Sequence, residues 1–219
     1  MISTVLPAYK YLIEERKLNE DTIRAFHLGY VDHSGEIYLD ADYQGKLPQL
    51  DKRFYHSTMF PIQDVYGSTV AVSCRPLGPS STKYINTSYE KADHLYGLSL
   101  TYKDILKTQK VYVAEGNLSA ITPWQSGLKN VVALLGINIS HTQLCLLNRF
   151  AKQVCFMVDA DKAGENFIEK MRQQIPSRFY DTDMKFSFVT FPKGQDPDSY
   201  FQNHTLQDFL ALPEQELII

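Results

Sequence analysis

Residues 154–164 read VCFMVDADKAG. Val154 to Val158 form an unbroken apolar run, the pattern of a strand buried on both faces, and the run stops at an aspartate. Beyond it Ala163, Phe167, Ile168 and Met171 recur at helical spacing. Similar strand and helix pairs lie on either side. Upstream, VYVA (111–114) is a short apolar strand, Leu118 to Gly127 a helix, NVVALLG (130–136) a strand and Thr142 to Phe150 a helix. Downstream, FSFVTF (186–191) is a further strand and Leu206 to Leu210 a last short helix. Strands alternating with helices of this length predict an α/β fold with right-handed crossovers and a parallel sheet.

Ligands of such sheets gather beyond the carboxyl ends of the strands, and acids stand there in this sequence. Glu115 follows VYVA directly, Asp159 and Asp161 end VCFMVDAD, and Asp196 and Asp198 follow FSFVTF across a PKGQ turn. A hard divalent cation takes oxygen ligands and keeps waters and phosphates in its shell. Two such cations clamp the attacking and leaving oxygens of a phosphoryl displacement. In a DxD pair on extended backbone both side chains point the same way. Taken singly, each acid reads as a solvated loop residue or a helix cap, and Asp161, before Lys162-Ala163-Gly164, is a capping candidate in its own right. Recurrence at three strand ends favours the metal reading.

The first half of the chain is rich in tyrosine and short β-like runs. Asn19 or Asp21 is placed to cap a helix carrying Ile23 and Phe26. STMFPIQD (57–64) and STVAVSCRPL (68–77) read as a hairpin turning at Gly67. The texture changes near residue 105, which predicts a mixed α+β subdomain over 1–106 and the parallel-sheet domain over 107–219.

Composition excludes several classes. Hydrophobic residues are 44% and charged residues 21% of the 219, as in a globular protein rather than a disordered one. No apolar run is long enough to cross a bilayer, and the N-terminal MISTVLPAYKYLIEERK has no signal-peptide pattern, so a cytoplasmic protein without membrane attachment is expected. Cys74, Cys145 and Cys155 are far apart in apolar stretches and form no CxxC, so buried, reduced thiols are expected. The histidines lack metal-ligand spacing, and no zinc site is expected. A net charge of −3 does not exclude a nucleic-acid partner, because carboxylates that hold cations count as acidic in sequence.

VYVAEGNLSAI (111–121) and VCFMVDADKAG together resemble the Toprim domain, with its strand followed by EG and its later strand ending in DxD before an alanine-glycine helix start. GQDPDSY (194–200) is similar to the DPD motif of DnaG-type primases. KRFYHSTMFPIQDVYGSTVAVSCRPLG (52–78), TKYINTS (82–88), EKADHLYGL (90–98) and YLIEERKLNEDTIRAFHLGYV (11–31) resemble successive elements of the primase core. The resemblance covers almost the whole chain, in order. It implies a Toprim domain, Rossmann-like with a parallel sheet, preceded by a mixed α+β primase N-terminal subdomain.

The same resemblance implies a DNA primase, a DNA-directed RNA polymerase that makes short RNA primers on single-stranded DNA by metal-dependent nucleotidyl transfer. Glu115 would be the catalytic carboxylate, and Asp159, Asp161, Asp196 and Asp198 would hold two or more Mg²⁺ or Mn²⁺ ions. Arg53, Arg75, Lys83, Asn86 and Lys91 would form a basic ridge for template and nucleotide phosphates, extended by Lys52. Tyr84 and Tyr96 read as core packing, and Gly116 and Gly164 as sites of close backbone approach at helix starts. Partners implied are single-stranded DNA, ribonucleoside triphosphates, and a replicative helicase or a separate chain carrying further domains. The location implied is a bacterial or phage-infected cell.

The chain departs from the family pattern EGYxD: Asn117 stands at the tyrosine and Ser119 at the aspartate. Ala160 stands where a glycine is usual between the aspartates. No cysteine/histidine quartet precedes the core and no helical tail follows it, so a minimal core is expected. A Toprim nuclease and a non-catalytic primase-like binding module are the alternatives.

Overall fold

The hairpin read from residues 57–77 lies at the centre of an antiparallel sheet. In the computed structural model, which describes residues 7–39, 43–178 and 183–219, β1 (Gly29–Val31), β2 (Ile37–Tyr38), β3 (Ser57–Gln63), β4 (Thr69–Pro76) and β5 (Ile85–Asn86) pair in the order β2-β1-β3-β4-β5. Gly67 turns the β3–β4 hairpin at φ +87°, a conformation that side chains with a Cβ rarely take. Asp64 braces the turn by accepting the Tyr66 and Ser68 N–H groups at 2.9 Å each. Before the sheet, α1 (Pro7–Tyr9) runs into a π-helical turn (Lys10–Glu15), and α2 (Glu20–Ala25) is capped by the Asn19 side chain. Val31, Phe54, Met59, Val72 and Cys74 form the core beneath the sheet.

The second sheet is the one on which the acids were expected. α3 (Leu98–Thr108) precedes β6 (Lys110–Ala114), α4 (Asn117–Gln125), β7 (Val131–Ala133), α5 (His141–Phe150), β8 (Gln153–Val158), α6 (Lys162–Arg178) and β9 (Lys185–Thr190). β6, β7, β8 and β9 pair in parallel in the order β9-β8-β6-β7. β8 lies between β6 and β9, and its residues Val154 to Val158 are all buried, as an unbroken apolar run requires. After α7 (Pro197–Phe201) and α8 (Leu206–Leu210), β10 (Glu214–Glu216) adds an antiparallel outer strand on β9.

Four expectations change. The sheet is not purely parallel, because β10, a Glu-Gln-Glu segment with no apolar alternation to announce it, pairs through backbone and is pinned by the Lys110–Glu214 ion pair at 2.5 Å. The compact units are Met1–Tyr89 and Glu90–Ile219 rather than 1–106 and 107–219, since α3 packs on β6 and β7. Cys74 and Cys155 are buried, and burial pushes both thiols up to about 12; Cys145 is only half-buried, 3.4 Å from His141 Nε2. α7 had no expected counterpart. Residues 1–6, where the signal-peptide reading starts, lie outside the described residues. Among the described residues no helix is long and apolar enough to cross a membrane.

Candidate functional site

Three adjacent parallel strands deliver the acids to one edge of the second sheet. Glu115 follows β6 and is exposed; Asp159 follows β8 and is half-buried; Asp161, two residues on, is exposed. Asp196 and Asp198 follow β9 across the turn Pro192–Gln195, where Gly194 has φ +80°.

The helix starts beyond these strands absorb part of the carboxylate set. Asp161 Oδ1 accepts the Gly164 N–H at 2.8 Å, a cap at the head of α6. Asp196 is the N-cap of α7, its Oδ1 taking the Ser199 N–H at 2.7 Å while Pro197 occupies the first helical position. Asp198 lies inside α7, only 4% exposed, and its Oδ1 accepts bonds from Thr122 Oγ1 at 2.5 Å and Gln202 Nε2 at 3.1 Å. It therefore ties α7 to α4. Thr122→Val, which keeps the shape and removes the donor, should lower stability by about 1–3 kcal/mol, the cost of a buried polar group left short of its partner. Urea unfolding measures this, and an unchanged midpoint would show that the bond does not lock the two helices.

These residues fit a hard divalent cation in kind, since every candidate donor is a carboxylate oxygen. Asp161 and Asp196 each spend one oxygen on a backbone N–H and keep the other. Among the described residues no three Asp, Glu, His or Cys side chains stand close enough together to hold an ion in this arrangement. The strand ends converge, while Asp196 and Asp198 carry structural duties beside any role at a metal.

Two details of α4 bear on Ser119. The N-cap is Gly116, without a side-chain bond to the helix, so Glu115 precedes the helix rather than belonging to it. Ser119 is the third residue of α4, and Glu115 lies outside that helix. The two glycines also differ. A Cβ on Gly164 would run into the carbonyl oxygen of Asp159 and come within 2.8 Å of Val158 Cγ1, so close approach is required there. A Cβ on Gly116 would meet nothing within 4 Å among the described residues, so no such approach requires that glycine.

The basic residues are dispersed over both units. Arg53 is exposed and engaged, its Nη2 2.8 Å from Asp51 Oδ2, and the hydrogen bonds from Arg53 hold the Asp51 carboxyl at about 2. Its charge is already partnered, which weakens its place in a ridge. Lys52, Lys83 and Lys91 are exposed, and Asn86 is half-buried on β5 opposite Ser73. Lys91 belongs to the second unit, in the turn Lys91–Asp93, and the others to the first. Arg75, on β4, lies over the rings of Tyr11 and Tyr84, 5.2 and 5.6 Å from their centroids. Tyr96 is core, as expected; Tyr84 is only half-buried.

Sequence reasoning missed Thr122, Gln202 and Tyr11. Nothing marks a threonine within an apolar helix as the partner of an aspartate so distant in sequence. The α7 cap was detectable, because Asp196-Pro197-x-Ser199 has the residue types of a helix start.

A Toprim-like family model matches residues 112–201, and a model of the N-terminal domain of the DNA primase catalytic core matches residues 41–102. The DNA primase of Synechocystis sp. is 32% identical over 201 residues, covering 89% of this chain. The chain spans 30% of the length of that primase. A solved DnaG catalytic core superposes with a TM-score of 0.79 at 24% identity, covering 96% of this chain and 74% of the other. A DnaG primase catalytic domain bound to single-stranded DNA gives 0.79 at 23% identity, covering 96% and 72%. With primase-core models matching one after the other and primase relatives aligned along nearly its whole length, the chain matches the catalytic core of the DnaG-type primases, a Toprim-like domain preceded by the core's N-terminal domain.

Proposed function

We propose that the chain carries out template-directed RNA primer synthesis, a nucleotidyl transfer. The observation that carries this reading is the delivery of Glu115, Asp159, Asp161, Asp196 and Asp198 to the carboxyl ends of β6, β8 and β9 in a chain that matches this core. In the reaction, the 3′-hydroxyl oxygen of one nucleotide bonds to the α-phosphorus of the next. The bond from that phosphorus to the bridging oxygen breaks, pyrophosphate leaves with the electron pair, and the hydroxyl proton passes to a base. Glu115, exposed at the end of β6, would take that proton. Asp159 and Asp161 would hold Mg²⁺ or Mn²⁺, with Asp196 contributing its uncommitted oxygen and Asp198 setting the position of α7. A divalent cation bound there supplies Lewis-acid neutralisation of phosphate charge.

Lys83, Arg75, Asn86 and Lys91 are assigned to the phosphates of a single-stranded DNA template and of ribonucleoside triphosphates. A related catalytic domain has been solved with single-stranded DNA, which supports the template assignment. Incubation with labelled ribonucleotides, a single-stranded template and either cation tests the reading. Short RNA products that depend on template support it, and template cleavage without synthesis indicates the nuclease alternative. A second reading, a primase-like binding module without catalysis, is favoured by one observation: Asp198 is sealed and hydrogen-bonded within the fold, in a chain that carries serine at position 119.

Ser119→Asp separates the two readings. A carboxylate at the third position of α4 meets the helix N-terminus and should stabilise the metal-free protein by about 0.3–1 kcal/mol whether or not a cation binds. If Ser119 is a vacated ligand position, the substitution also lowers the cation concentration needed for half-maximal primer yield. A rise in unfolding temperature with an unchanged metal titration rejects the vacated-ligand reading.

A further inference from the structure

We infer that His33 and His56 form a stacking platform for a base of single-stranded nucleic acid; this rests on the primase reading and names where a template base is held. The geometry lies entirely within the first unit. The two imidazoles lie face to face, with ring centroids 4.0 Å apart and planes 14° from parallel. His56 is the inner, half-buried ring, while His33 is exposed although His56 covers one of its faces. The opposite face of His33 is the one left open.

The fold holds the inner ring from several sides. His56 takes φ +49°, a left-handed conformation that is uncommon for a residue with a Cβ. Its N–H donates to the Asp32 carbonyl oxygen at 3.1 Å, and its own carbonyl oxygen accepts the Leu77 N–H at 3.0 Å. Its Nδ1 shares a hydrogen bond of 2.9 Å with the hydroxyl of Tyr30, a buried residue of β1 that meets the imidazole edge-on. These bonds fix the bend, so the ring aimed at His33 is in place before any ligand arrives. His33 stands in a turn that Asp32 organises, its Oδ1 accepting the Ser34 and Glu36 N–H groups at 2.8 Å each and the Ser34 hydroxyl at 2.7 Å.

The surroundings select a base over a phosphate. Asp32 and Glu36 belong to the same turn as His33, and bonds led by the Ser34 hydroxyl hold the Asp32 carboxyl below the usual carboxylate range. Negative charge there repels a phosphate and leaves the neutral face of a base unaffected. Burial, and then His33, holds the His56 imidazole below its ordinary value, which keeps the inner ring uncharged at neutral pH. Histidine is among the side chains on which unpaired bases stack, and every base offers a π face whatever the sequence. Thr58, two residues on from His56, lies opposite Arg75, so one strand can set phosphates on the basic residues and a base on His33.

Fluorescence anisotropy of the full chain with a labelled single-stranded oligothymidylate tests the inference, beside a strand with the same phosphates whose sugars carry no bases. His33→Ala should weaken oligothymidylate binding by about 5- to 30-fold, the loss of one stacked base, at an unchanged salt slope because no phosphate contact is removed. The effect should persist at a pH of about 8.5, where an imidazole is uncharged. His33→Phe, which keeps a π face, should bind as wild type, and the base-free strand should bind wild type and His33→Ala alike. Oligothymidylate binding unchanged by His33→Ala overturns the platform and leaves the primase reading standing. An effect that vanishes at the higher pH and alters the salt slope also overturns it, since His33 then meets a phosphate. Failure of the wild-type chain to bind the oligothymidylate overturns both.

Discussion

Asp159→Asn and Asp161→Asn are each expected to reduce primer synthesis by about 10²–10³-fold, since each removes several kcal/mol of cation-mediated stabilisation of transferring phosphate. Asparagine is the right replacement because Asp161 does two jobs. Its carboxylate caps α6 through the Gly164 N–H, and alanine would remove that bond and about 1 kcal/mol of stability along with the charge. The amide oxygen of asparagine can still cap, so activity and folding are separated. Circular dichroism and the thermal midpoint should match wild type, and isothermal titration should show weaker Mn²⁺ binding. Full activity in both variants would remove the strand-end aspartates from the mechanism. Lost activity with an unchanged Mn²⁺ isotherm would assign them some other role.

Gly164→Ala should be the most disruptive single methyl group that can be added near the site. The new Cβ would strike the Asp159 carbonyl oxygen, which is backbone and cannot swing aside, and would press on Val158. Alanine regains about 1 kcal/mol of helix propensity, but overpacking against rigid neighbours costs about 1–3 kcal/mol or more. The net cost, up to about 2 kcal/mol, should lower the melting temperature by up to roughly 8 °C, at the 2–4 °C per kcal/mol typical of a chain this size. Activity should fall further than stability, because relief of the clash must shift α6 or the strand end that carries Asp159. Gly116→Ala is the control: open space surrounds that position and its φ is −121°, so its fold should be unaffected. Equal thermal midpoints for the two variants would refute the packing argument.

The difference between those glycines shows where reading a sequence reaches its limit. Both precede or open a helix after a strand, and both received the same interpretation. Only atoms from another part of the turn distinguish them. The parallel sheet was legible because Val154–Val158 and VYVA are apolar throughout, a pattern with few other outlets at that length. β10 was not, because a pairing made by backbone leaves no trace in Glu214, Gln215 and Glu216. The acids were legible as a set, since their positions relative to strands follow from the α/β alternation alone. Their individual states depend on side chains far away in sequence. Thr122 reaches Asp198 from another helix, while Asp196 and Asp161 are claimed by local capping. Arg75 was legible as a cation, but its position between Tyr11 and Tyr84 depends on the π-helical turn, β4 and the segment before β5 meeting in three dimensions.

β10 also bears on how this protein behaves in concentrated solution. A sheet edge is a template for a further strand, and β9, with Phe186, Phe188 and Val189, would be an adhesive one if left bare. β10 occupies it with three exposed residues, two of them glutamates. Glu214 is neutralised by Lys110 and accepts the Ser187 hydroxyl, which fastens the strip down, and Glu216 stays outside as negative charge. A second molecule approaching along that edge meets like charge, so the least apolar strand of the fold serves as its guard against strand-to-strand aggregation.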